Sequence, residues 1–181
     1  AQVMIVGAAF ASLWMWRPLS KISSLTESTS QTRHIVNKNL AIYYVIAAII
    51  LVSSNFAILY FQAIAINGSV IDVLGTRFGT VLLERSLISF IILGLSLYEY
   101  RQFRKKESHT FSKWESVGIL TIGIILLATT SLIGHAASGK QLAPLIIDFV
   151  HNLTASIWIG GTFYLAFVLI AILKASKMNL Y

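Results

Sequence analysis

Residues 131–161, SLIGHAASGKQLAPLIIDFVHNLTASIWIGG, carry two histidines, one aspartate and one tryptophan between segments apolar enough to demand lipid. A charge at the bilayer centre costs about 2.5–3.5 kcal/mol on insertion scales, so ionisable groups there are functional candidates by default. Asp148 stands three residues before His151, one helical turn away. Its carboxylate could accept a hydrogen bond from one ring nitrogen, fixing the tautomer and leaving the other nitrogen free for a metal. His135 closes an earlier apolar run, and the 15 residues between the histidines turn back from the same side of the membrane. Both imidazoles therefore belong to one half of the bilayer, close enough to approach each other.

The same helix should present these groups together. Asp148, His151, Ala155, Trp158 and Thr162 recur at spacings of 3, 4, 3 and 4, which places them on one face, expected to point into a bundle. Trp158 lies too deep for an aromatic belt and is assigned to packing. Gly160 and Gly161 beside it, with Gly134 before His135, allow neighbouring helices to come close. Gln62, Glu84 and Arg85 fall at a similar depth on other helices, so the outer half should hold a polar pocket and the inner half little but apolar side chains. Glu84 and Arg85 are expected to neutralise one another, or Arg85 to neutralise Asp148. His34 and His109 fall in polar connectors and are expected to be solvated.

The elements that must position these residues follow from composition. The chain has 181 residues, 56% hydrophobic and only 12% charged, about half the charged fraction of a soluble domain. The apolar residues come in long blocks, which predicts an all-α, polytopic transmembrane helical bundle. About five helices are expected, over 3–16, 40–66, 80–100, 117–134 and 145–173, forming a single domain across 1–181. The first is too short for a bilayer that needs about 20 residues. It is read as a helix lacking its beginning, and the chain as a piece extended at both ends in the full protein. The absence of cysteine excludes thiolate ligands and disulfides.

The net charge of +7 does not mark a nucleic-acid binder, because the charges sit in connectors as membrane orientation requires. Eleven Lys and Arg lie in 17–38, 101–114 and after the fifth helix, against Arg77 and Lys140 in the alternate connectors. The positive-inside rule then places 17–38 and 101–114 in the cytoplasm, and 67–79 and 135–144 outside, in the cytoplasmic membrane of the cell. No nucleophilic triad, phosphate loop or paired-carboxylate site is legible, so an enzyme is not expected.

Four stretches resemble the CopD family, the membrane domain of bacterial and archaeal copper-resistance and copper-transport proteins. VGAAFASLWMWRPL is similar to the family's first helix, ending in Arg-Pro. TRFGTVLLERSLI resembles its entry into a later helix, SLIGHAAS its Gly-His-Ala-Ala element, and DFVHNLTASIWIGGTFYL its Asp-x-x-His…Trp-x-Gly-Gly helix. The resemblance implies copper handling in the membrane and falls on His135, His151, Asp148 and Trp158. Imidazole suits both Cu(I) and Cu(II), and two such ligands make an exchangeable site suited to transport. A pocket open to the outside favours uptake or delivery over export, with an extracytoplasmic copper donor or acceptor protein as partner. Two other readings stand beside it. One is a structural or assembly subunit of a larger membrane complex, its polar groups serving helix packing. The other is a b-type haem protein for electron transfer, with both histidines as axial ligands.

Overall fold

The computed structural model describes residues 1–16, 18, 28–105, 111–133 and 142–178, and all regular structure among them is helical. Helix α1 spans Gln2–Ala11 and continues as a π-helical turn, Ser12–Trp16. Helix α2 spans Ser28–Ala65, α3 is the short Val70–Leu74, α4 spans Arg77–Lys105 and α5 spans Lys113–Ile133. Helix α6, Leu142–Ala155, passes through a second π-helical turn, Ser156–Gly160, into α7, Gly161–Met178. The backbone stays right-handed helical on both sides of that turn, so α6 and α7 form one rod.

Among the described residues, four helices are long and apolar enough to cross a membrane: His34–Ala65, Arg77–Lys105, Lys113–Ile133 and Leu142–Val168. The protein is thus a multi-pass helical membrane bundle. Helix α2 is longer than its apolar stretch predicts. The polar connector expected through Gln31 and on to Lys38 is already helical from Ser28. Residues 28–38 contain neither Gly nor Pro, so their polarity takes them out of the hydrocarbon without unwinding them. At 1.5 Å per residue α2 is roughly 57 Å long, nearly twice the ~30 Å hydrocarbon core.

The turn from α2 to α4 is built from local chemistry. Asn67 takes φ 51°, the left-handed conformation that asparagine tolerates. Its N–H donates to Ile64 O and that of Gly68 to Ala63 O, each at 3.0 Å, the paired pattern that closes a helix C-terminus. Ser69 then starts α3 with a reciprocal cap. Its Oγ accepts from Asp72 N at 3.3 Å, and Asp72 Oδ2 accepts from Ser69 N at 2.7 Å.

Packing encloses α1 within the bundle. Helices α2, α4, α5 and the α6–α7 rod each contact the next, and α7 returns to α2. Helix α1 sits within this ring against α5, α2 and the α6–α7 rod. Ile5, Val6, Ala8, Ala9 and Ala11 are all buried to 1% exposure or less. On these faces α1 is surrounded by protein and not by lipid. Its small residues set the spacing. A Cβ at Gly7 would overlap Ser156 O and the Gly160 backbone, and one at Gly160 would overlap Val3 O. The two backbones therefore touch where α1 crosses the π-helical turn, as small residues permit in membrane bundles.

Candidate functional site

Among the described residues, Arg85 is the buried Lys or Arg. It lies eight residues into α4, roughly 12 Å from the helix start, and is 8% exposed. Glu84 is exposed. Adjacent helical residues point about 100° apart, so the two cannot share a direction. The expected neutralisation of Arg85 by Glu84 or Asp148 is not what the structure shows, and the described partners of Arg85 are neutral. Its Nε donates to Asn55 Oδ1 at 2.9 Å and its Nη1 to Thr130 Oγ1 at 2.6 Å. Asn55 Nδ2 donates to Ser89 Oγ at 2.9 Å, and the Ser89 hydroxyl donates to Arg85 O at 2.7 Å. Gln2 Nε2 donates to Thr130 Oγ1 at 2.9 Å. The guanidinium thus ties α4 to α2 and α5, and Gln2 joins α1 to the same network through Thr130.

Asn55, Ser89, Thr130 and Gln2 escape a reading that looks for charges. Asn55 carries the clearest signal, an amide set inside VSSNFAILY. Every amide hydrogen or oxygen left unpaired in lipid costs free energy, so such a residue must have a partner on another helix. Gln62, near the end of α2, is half-buried and takes no described part in this network.

The α6–α7 rod presents the opposite arrangement. The face expected to point inward looks outward. His151 and Thr162 are exposed, Trp158 is 76% exposed, and α6 buries no residue. Trp158 therefore does not pack within the described bundle. The inward stripe is Ser156, Gly160, Tyr164 and Val168, each four residues from the last. Close approach to α1 selects small side chains at the crossing, so size and not polarity sets the rotation of the rod. Gly160 lies in this seam. A Cβ at Gly161 would stand at an ordinary 3.8 Å from Gly7 O.

Asp148 is half-buried, and its Oδ2 accepts from Asn152 Nδ2 at 3.0 Å, one turn along α6. The hydrogen bond expected from His151 is thus taken by Asn152, while the imidazole of His151 is open to the outside of the bundle. His151 is roughly 14 Å from the start of α6. His135 and Gly134 lie outside the described residues, as does His109. Among the described residues no three His, Cys, Asp or Glu side chains come together as a metal-binding group. His34, expected to be solvated, is instead half-buried in α2. Its ring lies 6.3 Å from that of Phe103, with Nδ1 buried and without a hydrogen-bond partner.

The arrangement combines a buried cation on α4 with an exposed imidazole and a half-buried carboxylate on α6. A buried guanidinium repels cations and attracts anions around it. The imidazole on α6 remains available as a ligand from outside the bundle.

Comparison with known proteins places this geometry. No curated protein and no solved structure matches the chain. A family model described as copper resistance protein D-like, N-terminal domain, matches residues 1–143. That range takes in α1, the Arg85 network and His135, and ends at the beginning of α6, before Asp148 and His151. With the greater part of its length matched, the chain belongs to the copper resistance protein D-like family.

Proposed function

We propose that the protein binds copper through His135 and His151 near the outer face of the membrane and passes it inward or to a partner protein. The observation that carries the reading is the family match across residues 1–143. The exposed imidazole of His151 supports it, since a ligand open to the surface can receive and release its metal by exchange. Neutral imidazole accommodates either oxidation state of copper, and a site with few protein ligands releases it readily. Asp148 adds negative charge one turn from His151 and favours a cation there. An extracytoplasmic donor protein fits this exposed position, and uptake or delivery follows from a site near the outer face.

Metal analysis of the intact membrane protein, beside a His135→Ala, His151→Ala double variant, tests the site. The wild-type protein should carry copper and the double variant should lose most of it, because neither proposed imidazole ligand remains. A His109→Ala control should match wild type. Copper retained by the double variant at wild-type stoichiometry would remove both histidines from the reading.

A second reading rests on the outward face of α6. Ile146, Ile147, Val150 and Trp158 are exposed beside His151 and Thr154. Polar groups displayed on an otherwise apolar membrane face suit a seam with further helices better than a wall of lipid. This face would then join the bundle to other subunits of a membrane complex, and copper could bind at that seam. Crosslinking from a cysteine at Thr154 in native membranes would identify such a neighbour. Lipid adducts alone would count against it.

A further inference from the structure

The last turns of α4 gather three cations that neither the copper reading nor the Arg85 network uses. Arg101, Arg104 and Lys105 stand at i, i+3 and i+4, so they share a face, and all three are exposed. They line an open cleft of about 490 Å³. Like charges at these spacings destabilise a helix by a few tenths of a kcal/mol per pair. The helix dipole offsets part of this at a C-terminus. An anion seated between the three would relieve the rest.

The position of the cleft says which anion. Helix α4 is 29 residues, roughly 43 Å long, against a hydrocarbon core of about 30 Å, so its ends must emerge among the headgroups. Arg101 stands sixteen residues beyond Arg85, roughly 24 Å along the axis. Two exposed aromatics mark the same level: Tyr98, 56% exposed and one turn before Arg101, and Trp114, 79% exposed in the first turn of α5. Such rings concentrate at the membrane interface. Glu99, the acidic residue of the last turns of α4, is buried at 5% exposure, while Glu107 lies outside the described residues.

We propose that the cleft lined by Arg101, Arg104 and Lys105 is a binding site for the phosphate of an anionic phospholipid headgroup. Two guanidiniums can each grip phosphate oxygens with a pair of parallel hydrogen bonds, and the ammonium adds a point charge. Basic clefts at the ends of membrane helices take such headgroups. The tyrosine and tryptophan rings flank the glycerol level and hold the helix end at that depth.

Native mass spectrometry of delipidated protein titrated with phosphatidylglycerol or phosphatidylcholine tests this. Wild type should retain one phosphatidylglycerol in clear preference to phosphatidylcholine. Arg101→Gln with Arg104→Gln and Lys105→Gln should weaken that retention by roughly fivefold per cation removed. Because these cations also orient the protein, an Arg101→Lys, Arg104→Lys variant preserves the charge while removing the paired hydrogen bonds. It should lose retention several-fold. Equal retention of the two lipids, or unchanged retention in either variant, would overturn the site. Displacement of the lipid by equimolar inorganic phosphate would also overturn it, by assigning the cleft to a soluble anion.

Discussion

Arg85 Nε donates to Asn55 Oδ1 at 2.9 Å across the seam between α4 and α2, and the pair is buried on both sides. Among the described residues the charge is held by the Asn55 amide and the Thr130 hydroxyl, so its stability depends on these hydrogen bonds.

Asn55→Ala should therefore cost about 1.5–3 kcal/mol, the worth of a hydrogen bond to a charged group. Thermal unfolding in detergent would show it. Arg85→Met, which removes the charge together with its need for partners, should be tolerated better than Asn55→Ala in the same assay. The reverse order would mean that the guanidinium draws its stability from something other than this amide.

Gly7→Ala should destabilise the bundle by about 1–3 kcal/mol or more, because the added methyl overlaps Ser156 O and the Gly160 backbone. Gly94 supplies the contrast. A Cβ there meets nothing within 4 Å. Gly94→Ala should leave the melting temperature unchanged or raise it, since alanine favours a helix by up to about 1 kcal/mol over glycine. Equal effects at the two positions would dissolve the argument for a backbone contact between α1 and the α6–α7 rod.

Asp72 lies outside the spans, and its carboxylate accepts hydrogen bonds from the Ser69 hydroxyl and the Ser69 backbone N–H. These, the hydroxyl's first, hold its pKa below the ordinary 3.8. A carboxyl lowered in the folded state adds stability that is present above its unfolded pKa. That stability is lost as pH falls through the folded value. The cap of α3 should accordingly persist at pH 3.8 and loosen only below it. An NMR titration of the Asp72 carboxyl carbon should show a midpoint under 3.8, and Ser69→Ala should raise it. A wild-type midpoint at or above 3.8 would exclude the reciprocal cap.

The chain contains no cysteine, so single cysteines can map its sidedness cleanly. Placed in 67–79 or 135–144, they should react with an impermeant thiol reagent in intact cells. Placed in 101–114, they should react only after the membrane is opened. The opposite pattern would invert the orientation and move the proposed copper site to the cytoplasmic side.

The spans were legible in the sequence because an apolar block of sufficient length has few alternatives to a membrane helix. Helix ends were less so: α2 runs back to Ser28 through residues whose polarity reports their surroundings and not their backbone. The site divided along similar lines. Arg85 stands out as a charge in an apolar block, but its partners Asn55 and Thr130 are uncharged residues on two other helices, and only the packing brings them together. The rotation of the α6–α7 rod follows its small residues and not its polar ones. Ser156 and Gly160 set the inward face, and His151 consequently looks out.

The enclosure of α1 has a consequence for the order of biosynthesis. Gly7 meets Gly160, near the far end of the chain. At about 5–20 residues per second, translation leaves α1 without that neighbour for on the order of ten seconds. During this interval the small-residue face of α1, which Gly160 later covers, must be met by lipid, by an insertase or by provisional contacts with α2 and α5. Slowing synthesis after residue 133 would lengthen the exposure, so rare codons there should increase degradation of the nascent protein while leaving the finished bundle unchanged.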